Sequence, residues 1–369
     1  MKRIYLDNNA TTAVDPSVLQ AMLIDLEGEP ANPSSLHSFG REARGHLAQA
    51  REQVGAFFST PANTVRFTSG ATESNNLFLR GLKGEGEIIT TAIEHSSIYK
   101  TAQSLEKLKP VYVPVGLWGA PKAQDIEAAL SSKTRAIALS AANNETGVKI
   151  DLEAVANLAK THKIPLLIDA VAWVGKEPFS LLPGITALSI SGHKFHAPKG
   201  IGALLLPIPL SLIPLATGGG QEYMSRAGTE NLAGILGLAK ALELVSANPD
   251  HITQHLLGLR THFETELKKT FPDLYISGEG PRVAGVSNVA FPGLDGETLL
   301  IHLDLAGVAS SHGSACASGA MEPSRVLTQM GVPRKVACGS LRFSFSRMNT
   351  RAEIDIALER ITTLVKKLS

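Results

Sequence analysis

Short apolar or β-branched runs alternate with segments of helical periodicity through the first two thirds of the chain. Between about residues 40 and 210 this alternation predicts a mostly parallel sheet covered by helices, an α/β domain. The segment Phe39 to Phe58 is predicted to be a helix, because its apolar residues recur at steps of three and four. The predicted strands are Val65–Thr68, Glu87–Thr91, Val111–Val113, Ala136–Ala141, Pro165–Asp169, Ala187–Ser191 and Gly202–Leu206.

The remaining third has a different pattern. A helical segment runs from Glu230 to about Ala247 and ends before Pro249. We place a domain boundary there, with a large domain at 15–250 and a smaller α+β domain formed by 1–14 and 251–369. The small domain is predicted to contain helices at His251–Thr270, Glu297–Leu305 and Arg351–Leu368 and strands at Leu274–Ser277, Ser287–Phe291 and Leu341–Phe345, with a loop before the last strand.

Composition and charge narrow the classes of function. The 35 basic and 34 acidic residues leave a net charge of +1 without long like-charge runs, so neither nucleic acid nor a membrane is an expected partner. The apolar stretch Ile201–Ala216 is short and contains three prolines, which argues against a membrane span. The N-terminus has no apolar segment of the kind that follows the basic start of a secretory signal, and we therefore expect a cytoplasmic protein.

The chain contains two cysteines, Cys316 and Cys338. Two cysteines make a poor disulfide framework for 369 residues, so at least one of them is a candidate for chemistry. Cys338 is expected to be a small buried thiol, the usual environment of a free cysteine. No metal site is expected.

Polar residues follow several predicted strands, where ligands of α/β sheets bind. After Val65–Thr68 comes SGATESNN, in which small residues and a helix N-terminus suit an anion, although an ordinary strand-to-helix turn explains this motif equally well. Asp169 ends one strand and suits a protonated ring nitrogen. Lys194 follows another and suits Schiff-base chemistry with an aldehyde. Together, Asp169 and Lys194 favour an anchored aldehyde cofactor.

Nearly the whole chain resembles the cysteine desulfurases of the NifS/IscS type, which are fold-type-I pyridoxal-phosphate enzymes. The resemblance rests on nine motifs that occur in one order. They are YLDNNATT at Tyr5–Thr12, SGATESNN at Ser69–Asn76, EH at Glu94–His95, NNETG at Asn143–Gly147, SGHKFHAPKG at Ser191–Gly200, GGGQE at Gly218–Glu222, RAGTEN at Arg226–Asn231, GSACASGAMEPS at Gly313–Ser324 and LRFSFSR at Leu341–Arg347.

The resemblance implies pyridoxal 5′-phosphate as cofactor and assigns roles around it. Lys194 would bind the cofactor aldehyde, Asp169 would pair with the pyridine nitrogen, and His95 would stack on the ring and move protons. Asn144 would lie near the ring and the substrate. The phosphate would be held by Ala71, Thr72, Ser191 and His193, and by Thr229 of a neighbouring subunit, which implies a homodimer.

The resemblance also implies the substrate and the reaction. Arg342 would bind the carboxylate of L-cysteine, and Asn32 would help to orient the substrate. Cys316 would attack the substrate sulfur, giving L-alanine and a persulfide that is passed to an acceptor protein in pathways such as iron–sulfur cluster assembly or tRNA thiolation.

One position departs from the family. Where these enzymes usually read DATQSVGK, this chain reads DAVAWVGK from Asp169 to Lys176, so Ala172 replaces the glutamine that hydrogen-bonds the phenolic oxygen of the cofactor. Losing that donor is expected to cost on the order of 1 kcal/mol unless another group replaces it, and Trp173 is a candidate.

Two other functions fit the same sequence. The first is a different enzyme on this scaffold, such as a selenocysteine lyase or another class-V aminotransferase-like protein. The GSAC motif favours the desulfurase over an aminotransferase. The second is a weakened homologue that serves as a scaffold for sulfur delivery. The reason to consider it is Ala172, and the argument against it is that the chain retains Lys194, His95, Arg342 and Cys316.

Overall fold

The structure is a computed structural model that describes residues 2–313 and 323–368, and Cys316 lies outside the described residues. The helices in the described part are α1 Pro16–Leu26, α2 Ser38–Phe57, α3 Ala71–Gly81, α4 Ser96–Ser104, α5 Ala123–Ala128, α6 Leu152–His162, α7 Leu232–Ala247, α8 Pro249–Thr270, α9 Gly296–Leu305, α10 Arg325–Gln329, α11 Arg334–Cys338 and α12 Arg351–Leu368. The strands are β1 Ile4–Tyr5, β2 Val65–Thr68, β3 Gly86–Thr91, β4 Leu108–Val113, β5 Thr134–Ser140, β6 Leu166–Asp169, β7 Ala187–Ser191, β8 Gly202–Leu205, β9 Tyr275–Ile276, β10 Val286–Ala290, β11 Val308–Ala309 and β12 Ser340–Ser344.

A seven-stranded sheet forms the centre of the molecule, with the strand order β2-β8-β7-β6-β5-β3-β4. Strand β8 runs antiparallel to both of its neighbours, and the other pairs are parallel. This confirms the predicted α/β class. Because β3, β5, β6 and β7 are parallel, their carboxyl ends lie at one edge of the sheet, where the predicted site residues follow them.

The sequence prediction failed at the short or weakly amphipathic elements. Helix α1 was not predicted, because Val18 is its only fully buried residue and no apolar stripe marks it. Its N-terminus carries a local signal all the same, since Asp15 caps it by accepting from Ser17 N at 2.8 Å and Pro16 occupies the first turn. The segment predicted as a loop before Leu341 contains β11, α10 and α11.

The C-terminal part contains a three-stranded antiparallel sheet, β12-β10-β9, and the N-terminal strand β1 pairs in parallel with β11 of this part. One large hydrophobic cluster takes its residues from Val18 to Val245. A second takes them from Ile4 and Leu6 and then from Ile252 to Val365. Two smaller clusters join side chains from both parts, and the domain boundary at residue 250 stays a prediction. Among the described helices, none has both the length and the apolar character needed to cross a membrane.

Candidate active site

A cavity of about 540 Å³ opens at the carboxyl edge of the large sheet. This volume lies within the range of small-molecule sites, roughly 300–1,000 Å³. The predicted site residues that line it are Ala71, Thr72, His95, Asn144, Asp169, Ser191, His193, Lys194 and Arg342. The structure therefore brings together residues that are separated by as much as 271 positions in the chain.

The N-terminus of α3 forms one end of the cavity. Gly70 precedes this helix with φ of 149°, a conformation that residues with a side chain rarely adopt. A Cβ atom at Gly202 would lie 2.7 Å from Gly70 Cα, so glycine there lets β8 approach the turn closely. No described side chain caps α3 at Gly70, so the first backbone N–H groups of this helix are left for a ligand. They lie at the end of the cavity that Thr72 and Ser191 also line. This end suits an anion such as a phosphate.

Asp169 ends β6 and is 5% exposed. Its Oδ2 accepts a hydrogen bond from Asn75 Nδ2 at 2.8 Å, and its Oδ1 accepts from Val171 N at 3.0 Å. Asn75 is fully buried and also donates to Ser97 Oγ at 2.9 Å, while its own Oδ1 accepts from Ser189 Oγ at 2.6 Å. The carboxylate is therefore held in one orientation by groups on two neighbouring elements.

His95 connects to the same network through Ser97. The backbone N–H of Ser97 donates to His95 Nδ1 at 3.2 Å, and the Ser97 hydroxyl lies 2.8 Å from the same nitrogen. Because a backbone N–H can only donate, Nδ1 is an acceptor and the neutral ring carries its proton on Nε2. Burial and the nearby Lys194 ammonium lower the pKa of His95, although the Asp169 carboxylate opposes this, so the imidazole is neutral near neutral pH.

Glu94, next to His95, is a buried carboxyl group that the sequence analysis did not single out. Its Oε1 accepts from Thr91 Oγ1 and its Oε2 from Ser140 N, both at 2.7 Å. Burial raises the pKa of Glu94 to about 7, and the Asp169 carboxylate acts in the same direction. Glu94 thus joins the ends of β3 and β5 directly behind His95.

Lys194 projects from a single 3₁₀ turn after β7 and its Nζ donates to the carbonyl oxygens of Asn9 and Ala10 at 2.6 and 2.8 Å. This contact explains why the N-terminal motif belongs to the site. Nδ1 of the neighbouring His193 lies 3.1 Å from Thr11 Oγ1. Burial together with the Lys194 and Lys199 ammonium groups lowers the pKa of His193 to about 4, so this imidazole is neutral.

Arg342 lies on β12, opposite the large sheet, and is 3% exposed. Its Nη2 pairs with Asp7 Oδ1 at 2.7 Å and its Nη1 donates to the Asn144 carbonyl oxygen at 3.1 Å. Its Nε, and the Oδ1 of the cavity-lining Asn9, are buried without a hydrogen-bond partner among the described residues. Polar groups of this kind suit a polar ligand, because leaving them unpaired is costly.

The described residues that flank Cys316 on either side are tied to this region. On the N-terminal side, Ser311 and Arg342 exchange two backbone hydrogen bonds, at 2.7 and 3.1 Å. On the C-terminal side, the Ser324 hydroxyl donates to Glu145, next to Asn144, in a short hydrogen bond. Both flanks therefore attach to residues that line the cavity or adjoin it.

The wall around Ala172 differs from the sequence expectation. Ala172 is buried and lines the cavity, but the Trp173 indole does not take over the missing donor function. Its Nε1 instead donates to the Pro178 carbonyl oxygen at 3.1 Å, and Lys149 Nζ lies 4.8 Å from its ring centroid. Lys176, four residues after Ala172, is the nitrogen-bearing side chain that lines the cavity here.

Three predicted residues lie away from the cavity or outside the description. Asn32 is exposed and its Oδ1 accepts from Ser34 N at 2.9 Å, an arrangement that stabilises a turn. Thr229 is exposed and does not line the cavity of its own chain. Cys316 lies outside the described residues. Cys338 was expected to be buried, but it is half-buried at the end of α11. Its side chain is a free thiol.

Asn75 and Lys176 were missed as site residues, although both lie in motifs that carry the resemblance or adjoin one. Their position in the sequence offers a partial signal, since Asn75 lies one turn into the helix that follows a strand tip. Side-chain direction could not be read from the sequence. Among the described residues, no cluster of three or more His, Cys, Asp or Glu side chains has an arrangement that would hold a metal ion.

Known proteins resemble this chain over its full length. Residues 4–357 match the family described as Aminotransferase class-V. The cysteine desulfurase IscS of Dictyoglomus turgidum is 39% identical over 379 residues, covering 100% of this chain and 96% of that protein. Cysteine desulfurase 2 of Trichormus variabilis is 40% identical over 376 residues, covering 100% and 94%. A solved structure of a NifS-like protein has a TM-score of 0.92 at 34% identity, with both chains fully covered.

Proposed function

The chain belongs to the class-V aminotransferase family and is a pyridoxal-phosphate-dependent cysteine desulfurase, and we propose that it moves sulfur from L-cysteine to Cys316 and then to an acceptor protein. The observation that carries this proposal is the joint position of Lys194, Asp169, His95 and Arg342 around one cavity. Each of the four supplies a group that cleavage of an amino-acid side chain requires.

The described residues fit pyridoxal phosphate. The uncapped start of α3, with Thr72, Ser191 and His193, suits the phosphate. The Asp169 carboxylate suits a protonated pyridine nitrogen, and the Lys194 amine suits the aldehyde. Bound there, the cofactor supplies an electron sink for the bonds around the substrate's α-carbon.

The residues around the cavity divide the remaining work. The Arg342 guanidinium binds the substrate carboxylate, for which its planar, two-pronged geometry is suited. The Lys194 amine, when it is neutral, takes up the proton of the substrate's α-carbon. The His95 imidazole assists with its Nε2–H, a hydrogen-bond donor, while its Nδ1 accepts from Ser97 N. The lowered pKa of His95, caused mainly by burial, favours this neutral ring.

Cys316 accepts the sulfur in this proposal. Its thiolate attacks the sulfur of L-cysteine, a new S–S bond forms, and the C–S bond of the substrate breaks. The products are L-alanine and a persulfide on Cys316. The protons that leave the two thiols and the α-carbon are returned to these products, so none is gained or lost overall. The reaction needs no external oxidant. The anchoring of both flanks of Cys316 beside the cavity supports this role.

A homodimer is part of the proposal. Arg226 pairs with Glu73 of α3 at 3.0 Å, whereas Thr229, three residues later, is exposed and does not line the cavity of its own chain, which leaves it to serve a second copy. Tyr223 and Met224 in the same segment are 51% and 76% exposed, an arrangement that a second copy of the chain would cover. Sedimentation velocity of the purified protein tests this, and a monomer would contradict it.

The destination of the sulfur and the compartment complete the proposal. We infer an acceptor protein of iron–sulfur cluster assembly or tRNA thiolation, because both begin from a cysteine persulfide. A reducing, cytoplasmic location suits an enzyme whose Cys316 must be a free thiol at the start of each turnover. Incubation with candidate acceptors and transfer of labelled sulfur would identify the recipient.

The two cysteines give a matched pair of variants for the central test. After incubation with L-cysteine, mass spectrometry of the parent should place one added sulfur on Cys316, and borohydride should trap the cofactor on Lys194. Cys316→Ser should keep the absorbance of the bound cofactor yet form no persulfide, while Cys338→Ser should behave like the parent.

Two outcomes would overturn the assignment. One is a persulfide on Cys338 or full desulfurase activity in Cys316→Ser. The other is a parent protein that binds the cofactor but releases neither alanine nor sulfide from L-cysteine, which would favour a scaffold. A much faster turnover of selenocysteine than of cysteine would indicate a selenocysteine lyase instead.

A further inference from the structure

The constitution of pyridoxal phosphate fixes which wall of the cavity its phenolic oxygen meets. The phenolic oxygen and the phosphate arm are attached to the two ring carbons that flank the carbon bearing the aldehyde. They therefore lie on opposite edges of the ring. With the nitrogen at Asp169, the aldehyde at Lys194 and the phosphate at the start of α3, the oxygen is directed away from α3. The family resemblance places the phenolic oxygen beside position 172, and the cavity residues within seven positions of Asp169 on this side are Val171, Ala172 and Lys176.

The side chains of Val171 and Ala172 have no polar atoms, whereas the side chain of Lys176 ends in an amine. Its side chain folds back over Ala172, so that Nζ donates to the Ala172 carbonyl oxygen at 2.9 Å. The residue is 4% exposed and lines the cavity together with Lys194. Among residues 2–313 and 323–368 this is the one hydrogen bond that its ammonium donates, although an ammonium has three N–H groups.

The charges around Lys176 favour an anionic ligand. Burial lowers its pKa to about 7, and the positive charges of Lys194 and Arg342 act in the same direction. The neighbouring Glu177 opposes this lowering, but its carboxylate oxygens accept from Lys149 Nζ at 2.8 Å and Ala284 N at 2.5 Å. Asp7 pairs with Arg342. An anion placed in the cavity would give the Lys176 ammonium a partner that these carboxylates do not supply.

We propose that Lys176 is a positioning residue that donates a hydrogen bond to the phenolic oxygen of pyridoxal phosphate, at the place where Ala172 offers no donor. This inference rests on the proposed function, because it requires the cofactor to be bound at Lys194. The Lys176 amine replaces a neutral amide donor by one that also carries charge. The Lys176 ammonium stabilises negative charge on the phenolic oxygen. It therefore lowers the pKa of the proton that the Lys194 nitrogen shares with that oxygen.

The experiment is a pH titration of the absorbance of the bound cofactor in the absence of substrate. Lys176→Met removes both the donor and the charge while keeping the length of the side chain. We expect it to raise the pH at which the absorbance changes by about one unit, which corresponds to a hydrogen bond involving a charged group. Adding Ala172→Gln to Lys176→Met restores an amide donor and should reverse a large part of the shift.

Two further variants separate positioning from structure. Lys268→Met removes an exposed ammonium near the end of α8 that does not line the cavity, so it should titrate like the parent. Lys176→Gln, whose shorter side chain carries no charge, serves if the Met variant does not fold. It should shift in the same direction by a smaller amount.

The proposal is overturned if Lys176→Met and Lys176→Gln titrate like the parent and lose only thermal stability, since Lys176 then merely satisfies the Ala172 carbonyl. A shift that Ala172→Gln leaves unchanged also overturns it, because a hydrogen-bond donor at that place would then have no effect. Failure of borohydride to trap the cofactor on Lys194 in the parent overturns the proposed function itself, and is distinguishable because it does not depend on any variant.

Discussion

The cavity has two walls that are held in place by different means. On the large-sheet side, Asp169 and Ser189 of the strands are joined by side-chain hydrogen bonds to Asn75 of α3, which continues through Ser97 of α4 to His95. On the small sheet, Arg342 is held by one ion pair to Asp7 and by backbone contacts to Asn144 and Ser311.

This difference matches what each wall has to do. A network whose members are fully buried and mutually bonded allows one arrangement, which suits a group that stays bound through every turnover. A guanidinium with one carboxylate partner and an unpaired buried Nε can accept another carboxylate without disturbing its backbone. The large-sheet wall therefore suits the cofactor, and the small-sheet wall suits a substrate that comes and goes.

The largest effect is expected from breaking the large-sheet wall at its charge. Asp169→Asn keeps the shape of the side chain but removes the negative charge that would pair with a protonated ring nitrogen. The loss of one partner of a buried charge pair costs at least about 3 kcal/mol, or roughly 150-fold in rate. Alanine release from L-cysteine measures the loss, and borohydride should still trap the cofactor on Lys194.

Asp151→Asn provides the matched control. Asp151 caps α6, where its Oδ1 accepts from Ala154 N at 3.0 Å, and an asparagine can accept the same hydrogen bond. Its rate should stay at that of the parent. A rate for Asp169→Asn within a few fold of the parent would show that the carboxylate does not support the ring.

A smaller effect is expected on the small-sheet wall. Arg342→Lys keeps the positive charge but loses the two-pronged contact, which we expect to cost about 1.5–2.7 kcal/mol in kcat/KM for L-cysteine, roughly 10- to 100-fold. Most of the change should appear in KM, because the carboxylate is bound before and during the reaction. The absorbance of the bound cofactor should not change.

Arg347→Lys is the control for this wall. Arg347 follows the same strand, pairs with Asp15 at 2.6 Å and does not line the cavity, so its KM should match that of the parent. If Arg342→Lys instead lost cofactor while keeping its KM, the two walls would not divide their work as we describe.

The two walls also differ in how far the sequence predicts them. Asp169 and Lys194 could be predicted from the residues alone, because each directly follows a buried apolar run, and the ends of parallel strands meet at one edge. The large sheet was predicted strand by strand for the same reason. Arg342, by contrast, depends on a contact with Asp7 that is 335 positions away, so its place followed from the resemblance and not from any local pattern.

What the sequence could not predict is the direction of side chains inside the motifs. Lys176 would ordinarily be taken for a surface lysine, and its burial depends on the turn after Asp169 folding it back over Ala172. Trp173 was considered as a replacement for the missing glutamine, but the same turn directs its nitrogen to Pro178. Both outcomes depend on backbone geometry that a one-dimensional pattern does not contain.

The last prediction concerns the stability of the fold and not the rate, and it rests on Glu94, the titratable group behind the large-sheet wall. Burial raises its pKa from 4.5 to about 7 in the folded protein, so between these values the folded state holds a proton that the unfolded state has released. The free energy of unfolding therefore falls as pH rises through this window, by up to about 1.4 kcal/mol per pH unit from this group. Glu94→Gln cannot titrate, and denaturant unfolding at a series of pH values should show a shallower fall than in the parent. Glu127→Gln, at an exposed glutamate, should retain the parent's slope. Parallel curves for Glu94→Gln and the parent would mean that this carboxyl group is already ionised in the folded protein, and that the large-sheet wall tolerates a second buried negative charge beside Asp169.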